Sequence, residues 1–410
     1  MPRPFPVDVF SCRGTSYAVG HALAGHYRRT RGKRAERPQG SARIARLDIA
    51  DARAALLAFA PNVWEELHGI ADGLGMPFDR AVAAFSNGRL EYPVRGCSSV
   101  LAGGLFGRNY DFAPKRYDRA LVAIDAAGTH ASVGFADRYT GRLDGMNRHG
   151  LCVALHHVDE TRAEPGLVCI LVVRILLDRC ATTAEAVALC RTLPHGLAFN
   201  YSVMDASGDA AVIEAAPGRV AVRRGEWLVC TNHFQAPEMA PADRRNTFHS
   251  RRRVPPLEGM AAAGLDADGL FRALNDARSP AFHHAYAAGW GTLHTIVGEP
   301  AARRLLVGIG CDAAPATLDI GAWAAGAALE PERLTGRLGV TSDRLFYSRD
   351  MAGAEFRDVS LARARFDDID FSGAEITSNC NFRGMTIAGV ALVDLLDAWE
   401  ASRPEKIRAG

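Results

Sequence analysis

Residues 96–112, GCSSVLAGGLFGRNYDF, decide how the rest of the chain is read. A glycine precedes a cysteine, two hydroxyl residues follow it, and Arg-Asn-x-Asp comes a few positions later. A buried structural thiol requires none of these neighbours. Nucleophilic catalysis by cysteine requires a thiolate, a base and donors for an oxyanion. The stretch also opens the β-like part of the chain. SSVLAGGLFGRNYDF is followed by RALVAIDAAG, HASVGFADRYTG and LDGMNRHGLCVALHHV, the last with NRHG between two apolar runs, as a hairpin turn requires.

Upstream, from about Val7 to Leu90, apolar residues spaced at three and four predict helices over HALAGHYRRT, DARAALLAFAPNVWEELHGIADGL and PFDRAVAAFSN. The basic run between them, RRTRGKRAERPQGSAR, has no interleaved aromatic residues and reads as a solvated face. Downstream, VCILVVRILLDRC and TTAEAVALCRTL predict two helices, the second capped by threonine. Strands resume at FNYSVMDASGDAAVIEAAPGRVAVRRGEWLVCTNHF. Hairpins, two helices and more hairpins predict an α+β fold with helices on antiparallel sheets, not a doubly wound parallel one. No dinucleotide, P-loop or G-x-S-x-G motif stands in a strand-to-helix setting.

The chain has 410 residues, 48% hydrophobic, with a net charge of +2, so no global field draws it to nucleic acid or an anionic membrane. Its nine cysteines form no CxxC pair or even framework, and most read as reduced core thiols. The N-terminus lacks a signal-like apolar segment, and the longest apolar run, LVCILVVRILL, carries Arg174 and is too short to span a bilayer. A cytoplasmic protein is expected, with no membrane or nucleic-acid partner.

Near the C-terminus the period changes to five: Phe356, Leu361, Phe366, Phe371 and Ile376 are central, with Ala354, Val359, Ala364, Ile369 and Ala374 two places earlier. The register continues after a one-residue slip through Phe382, Ile387 and Leu392. This segment resembles the pentapeptide-repeat family, a right-handed quadrilateral β-helix. Eight units stack too few coils to gain much stability, so docking on the main domain or on a second subunit, giving a homodimer, is expected. The expected division is a helical segment 1–96, a catalytic core 97–320, a linker 321–350 and a repeat segment 351–410 with a C-terminal helix.

A free α-amine has a reference pKa of about 7.7–8.0 and serves as a base near neutral pH. Cys97 acquires one only if the Gly96-Cys97 bond is cut. Glycine before the nucleophile favours that cut, because it lets the thiol approach the preceding carbonyl.

Cys-Ser-Ser with GRNYDF, then GMNRHGLCVALHH, FNYSVMDASGDAAVIEAAPG, CTNHF, SRRRVPPL and TLHTIV resemble, in order, the blocks of the N-terminal nucleophile (Ntn) hydrolases. The nearest branch is the isopenicillin N acyltransferase-like group, with bile salt hydrolases as more distant relatives. The resemblance spans roughly residues 5 to 310. It implies a four-layer αββα sandwich, made as one precursor that cleaves itself between Gly96 and Cys97 and leaves the N-terminal chain as a partner of the larger one. It also implies that Cys97 forms a thioester with a small-molecule acyl amide or acyl donor, passed to water or an amine. Asp111 matches the acid that holds the cysteine amine, Arg108 the cation beside the thiol, and Asn232 the side-chain oxyanion donor. His156 and His157 stand where relatives have asparagine, and His283 or His284 where they have an arginine, which makes these four the candidate substrate contacts. No cofactor or metal is expected.

Each residue has a plainer reading. Asp111, Asn232 and Asn147 suit turns, Cys97 suits a buried thiol, and adjacent histidines on a strand face opposite ways, so each doublet offers a metal one ligand at most. A different class also stays open, an inactive scaffold that binds partners through its repeat segment.

Overall fold

The computed structural model describes residues 3–31, 49–86, 96–159, 164–242 and 250–338, and, near the C-terminus, 361, 364, 366, 371–376 and 382–401. It divides into two compact units, Met1–Asp350 and Met351–Gly410.

The first unit opens with β1 (Arg3–Gly14), α1 (Ser16–Arg31), α2 (Ile49–Phe59), α3 (Pro61–Leu74) and α4 (Phe78–Phe85). The four helices match the expected spacing, but the start does not: the segment from Val7 is a strand. Phe5 and Val7 alternate inward, a period of two that the helical reading passed over. Pro4 and Pro6 fall where β1 has a partner on one side only, so their missing N–H groups cost no bond on the other. Most of the basic run lies outside the described residues.

From Cys97 the order is β2 (Cys97–Ala102), β3 (Leu105–Phe112), β4 (Ala120–Ala126), β5 (Ser132–Asp137), β6 (Gly141–Arg142), β7 (Asp144–Asn147) and β8 (Cys152–His157). Gly103 and Gly104 join β2 to β3 with φ of 58° and 74°, the mirror-image turn whose twist suits a tight hairpin. The two expected helices, α5 (Cys169–Arg179) and α6 (Thr183–Cys190), follow, and the Thr182 side chain accepts from Glu185 N–H as a cap. Next come β9 (Phe199–Met204), β10 (Ala210–Ala216), β11 (Arg219–Arg223), β12 (Leu228–Cys230), α7 (Ser250–Ala262), α8 (Ala267–Asn275), β13 (Gly291–Glu299), β14 (Arg304–Ile309), β15 (Ala316–Asp319), α9 (Ile320–Ala324) and β16 (Arg333–Leu338).

These strands form two large sheets, an α+β fold. One runs β11-β10-β9-β8-β7-β5-β4-β1-β16 with β6 beside β5, the other β12-β2-β3-β13-β14-β15. Every described pairing between neighbours in them is antiparallel except β1 with β4. Helices α5 and α6 pack on the larger sheet and α7 and α8 on the smaller, while β2 meets β8 and β9 across the space between the sheets. The expected linker at 321–350 is corrected over its described part: Trp323 of α9 and Leu334 of β16 are buried, and β16 pairs along β1.

A buried ion network ties α3 to α5. Arg174 Nη2 meets Glu66 Oε1 at 2.5 Å, and Arg174 Nε meets Asp178 at 2.7 Å.

In the second unit, Ala364, Ala374 and Met385 N–H donate to Leu361, Phe371 and Phe382 O, each at 2.9 Å. These three turns are spaced by ten and eleven residues. Leu361, Phe366, Phe371 and Ile376 are about half exposed. Strands β17 (Thr386–Ile387) and β18 (Val390–Ala391) form a short ribbon before α10 (Leu392–Ala401). Phe356, Val359 and the other repeat positions before Leu361 lie outside the described residues.

Candidate active site

Alternation along β2 divides its side chains between two environments. Ser99 reaches His156 on β8, and Cys97 and Leu101 join the main core, while Ser98 and Val100 face α7 and α8. Cys97 is fully buried. On the neighbouring β3, Arg108 points the same way as the thiol, with Nη2 3.6 Å from Cys97 Sγ and donating to Leu155 O at 2.9 Å. Its Nη1 forms an ion pair with Asp144, and the guanidinium lies 4.9 Å from the Tyr110 ring centre. Asn109, next along, turns to the helical side and donates to Leu274 O and Ala281 O.

The peptide bond before the cysteine is held at both ends. Gly96 O accepts from Asp111 N–H at 3.0 Å, and Cys97 N–H donates to Asn232 Oδ1 at 2.9 Å. Arg253 of α7 grips the same group: Nη1 donates to Cys97 O and Ser98 Oγ, both at 2.7 Å, and Nη2 to Asn232 Oδ1 at 2.5 Å. Two donors on Oδ1, with Asn232 Nδ2 donating to His157 O at 2.9 Å, fix which way the amide points.

Asp111 is fully buried, and Thr292 Oγ1 donates to its Oδ1 at 2.5 Å. Among the described residues its Oδ2 has no hydrogen-bond partner, and it lies 3.5 Å from His283 Nε2. Burial pushes this carboxyl up to about 6, against the pull of Arg253, the Thr292 bond and Arg108. A side chain at position 96 would meet Asp111 Oδ2 at 2.6 Å from its Cβ, so any residue but glycine must displace that carboxyl.

Gly96, Cys97, Arg108, Asp111 and Asn232 thus converge, although Arg108 and Asp111 project to opposite faces of β3. The histidines divide. His156 Nε2 sits between Ser99 Oγ (3.1 Å) and Ser202 Oγ (3.0 Å), and burial, with Arg108 and Arg253 nearby, holds its basicity well below the ordinary value. His157 lies on the other face, supplying its carbonyl to Asn232 and its ring to the edge of Phe199. His283 adjoins Asp111, whereas His284 turns away to Ala277 O at 2.9 Å. Asn147 organises its turn, accepting from His149 and Leu151 N–H and donating to Leu177 and Cys180 O.

Sequence reasoning assigned nothing to Arg253, Thr292, Asp144 or His294. For Arg253 a signal existed: in SRRR, Ser250 and Arg253 are three apart and fall on the buried face of α7, while Arg251 and Arg252 are exposed. Among the described residues, no group of three or more His, Cys, Asp or Glu is arranged to hold a metal, and no helix is long and apolar enough to cross a membrane.

Comparison with known proteins extends this picture. Solved structures similar to the chain include penicillin V acylase from Agrobacterium tumefaciens (16% identity, 55% of this chain and 86% of that one, TM-score 0.37) and a mutant conjugated bile acid hydrolase from Clostridium perfringens (13%, 57% and 95%, 0.41). A third is the Caenorhabditis elegans orthologue of N-acylethanolamine-hydrolyzing acid amidase (17%, 50% and 93%, 0.36). No curated protein sequence matches significantly. Residues 100–312, just over half the chain, match the family model "Acyl-coenzyme A:6-aminopenicillanic acid acyl-transferase", a span that begins three residues after Cys97 and includes Arg108, Asp111, Asn232 and Arg253. The chain belongs to this acyl-transferase family of Ntn hydrolases.

Proposed function

We propose that the chain is a self-processing cysteine amidohydrolase or acyltransferase, with Cys97 as its nucleophile and a four-layer αββα arrangement carrying the site. The observation that supports this most is the hold on one peptide bond: Gly96 O on Asp111 N–H, Cys97 N–H on Asn232 Oδ1, and a guanidinium beside Sγ.

In the first reaction Cys97 Sγ adds to the Gly96 carbonyl carbon. Negative charge develops on Gly96 O, where Asp111 N–H stabilises it. Collapse breaks the C–N bond, the nitrogen takes up a proton to become the Cys97 α-amine, and Gly96 is left as a thioester. Water then releases the Gly96 carboxylate and regenerates the thiol. In the second reaction the new amine, held by Asn232 Oδ1 and Asp111, takes the thiol proton as Sγ attacks the carbonyl of an acyl amide. That carbonyl occupies the place Gly96 had. The amine product leaves with a proton, and water or an acceptor amine attacks the acyl thioester. Arg108 favours the thiolate throughout. His157 and His283 border the acyl site; His284 is too far turned to serve. The cleaved N-terminal chain stays as partner, and the five-residue register of the second unit reads as a short pentapeptide coil.

Denaturing electrophoresis of purified protein tests this, with two chains expected and the larger beginning Cys-Ser-Ser. Intact mass after exposure to a panel of N-acyl amides reports the thioester directly. An uncut chain, or a Cys97→Ala chain that still splits, would sink the reading.

A further inference from the structure

Behind Arg108 lies a run of polar side chains that the reaction above does not use. Asp144 of β7 in the larger sheet receives Arg108 Nη1 and, at 2.8 Å on the same Oδ2, His294 Nε2 from β13 of the smaller sheet. Tyr117, between β3 and β4, places its hydroxyl 2.8 Å from His294 Nδ1. We propose that Asp144, His294 and Tyr117 are positioning residues, a buried chain that holds the Arg108 guanidinium against Cys97 Sγ.

The direction of each bond follows from chemistry. Burial and the nearby Arg108 depress the basicity of His294 well below normal, so its ring is neutral. A neutral imidazole carries one N–H, and the carboxylate claims it at Nε2. Nδ1 is then an acceptor, and Tyr117, whose ionisation burial raises well above normal, is the donor. The chain reads Tyr117 O–H to His294, His294 N–H to Asp144, Asp144 to Arg108, and Arg108 to the thiol. All four residues are at most 3% exposed. The imidazole is held flat between Phe135, 3.7 Å away, and Tyr110, 5.1 Å away, so its donor is fixed in direction as well as identity.

Stability does not account for such a chain. Taking a carboxylate, an imidazole and a phenol out of water costs free energy that apolar residues of the same volume would not. A lone carboxylate would already neutralise the arginine. What the extra donors add is orientation: with its Oδ2 shared, Asp144 cannot rotate, and Arg108 keeps one nitrogen for Leu155 O and Sγ.

The inference rests on Cys97 being the nucleophile, and its test needs neither cleavage nor turnover. Wild type, His294→Phe, His294→Gln and Tyr117→Phe are each made with and without Cys97→Ser. The ultraviolet thiolate absorbance lost on Cys97→Ser is followed against pH, reading that thiol alone. Phenylalanine at 294 keeps the stack on Phe135 and Tyr110 but donates nothing, so the titration midpoint rises by about half a unit or more. Glutamine, which can donate to Asp144, restores most of the shift, and Tyr117→Phe raises the midpoint by less. An unmoved midpoint in both His294→Phe and Tyr117→Phe overturns the assignment, as does an equal shift in His294→Phe and His294→Gln, which would trace it to packing. If His294→Phe does not fold, Tyr117→Phe decides alone. An uncut wild-type chain would remove the proposed self-processing and leave this readout intact.

Discussion

Asp111 occupies the space that a side chain at Gly96 would need: its Oδ2 lies 2.6 Å from the ideal Cβ position. Even one methyl group must displace the acid that abuts the Gly96-Cys97 peptide bond. Gly96→Ala is therefore expected to slow self-cleavage by about 10²-fold, the cost of moving reacting groups by roughly 1 Å. The ratio of cut to uncut chain on a denaturing gel after timed expression measures it. Processing at the wild-type rate would show that Asp111 yields freely.

The same carboxyl makes the uncut chain sensitive to pH. Asp111 is raised in the fold to about 6 from an ordinary 3.8, so between these values the folded state binds more proton than the unfolded one. Stability then falls as pH rises through that window, by about 3 kcal/mol at most. In an uncut Cys97→Ala background, Asp111→Asn should match the parent near the lower bound and gain on it towards the upper. Denaturant midpoints across the window read this, and a constant difference would refute it.

Asn232 joins three partners at the site, Cys97 N–H, Arg253 and His157 O. Asn232→Ala should lower both self-cleavage and turnover of the best N-acyl amide by about 10²-fold, the cost of letting the reacting groups shift by roughly 1 Å. A fall confined to KM would instead assign Asn232 to substrate binding.

Arg174 is fully buried between Glu66 and Asp178. Arg174→Met leaves two buried carboxylates without their cation, and should cost about 3–5 kcal/mol in chemical denaturation. Replacing all three with apolar residues of similar volume should recover most of the loss.

The site was legible where chemistry imposes residue types close together in sequence. Cys97, Arg108 and Asp111 lie on one hairpin, whose two-residue period and glycine turn are local. Arg253 was legible only in part: its three-residue spacing from Ser250 is in the sequence, but which face of α7 meets β2, and so what separates it from Arg251 and Arg252, is a property of packing. Which of His283 and His284 turns to Asp111 was open for a related reason: a doublet in a loop gives no period to say which ring turns inward. For β1, two prolines and a short alternation lost to the helical pattern that follows, since pairing with β4 and β16 involves residues more than a hundred positions away. α9 and β16 looked like a linker because their apolar residues are few and gain burial only against strands distant in sequence or in the other sheet, β1, β5 and β14.

That placement of β1 bears on what a cut before Cys97 can do. A strand threaded between β4 and β16, both of which follow the break, leaves the fragment 1–96 with no separate exit. After such a cut the two pieces are expected to share one melting transition. Maturation would thus change the chemistry at a chain end while remaining invisible to any measurement of size or shape made without denaturant.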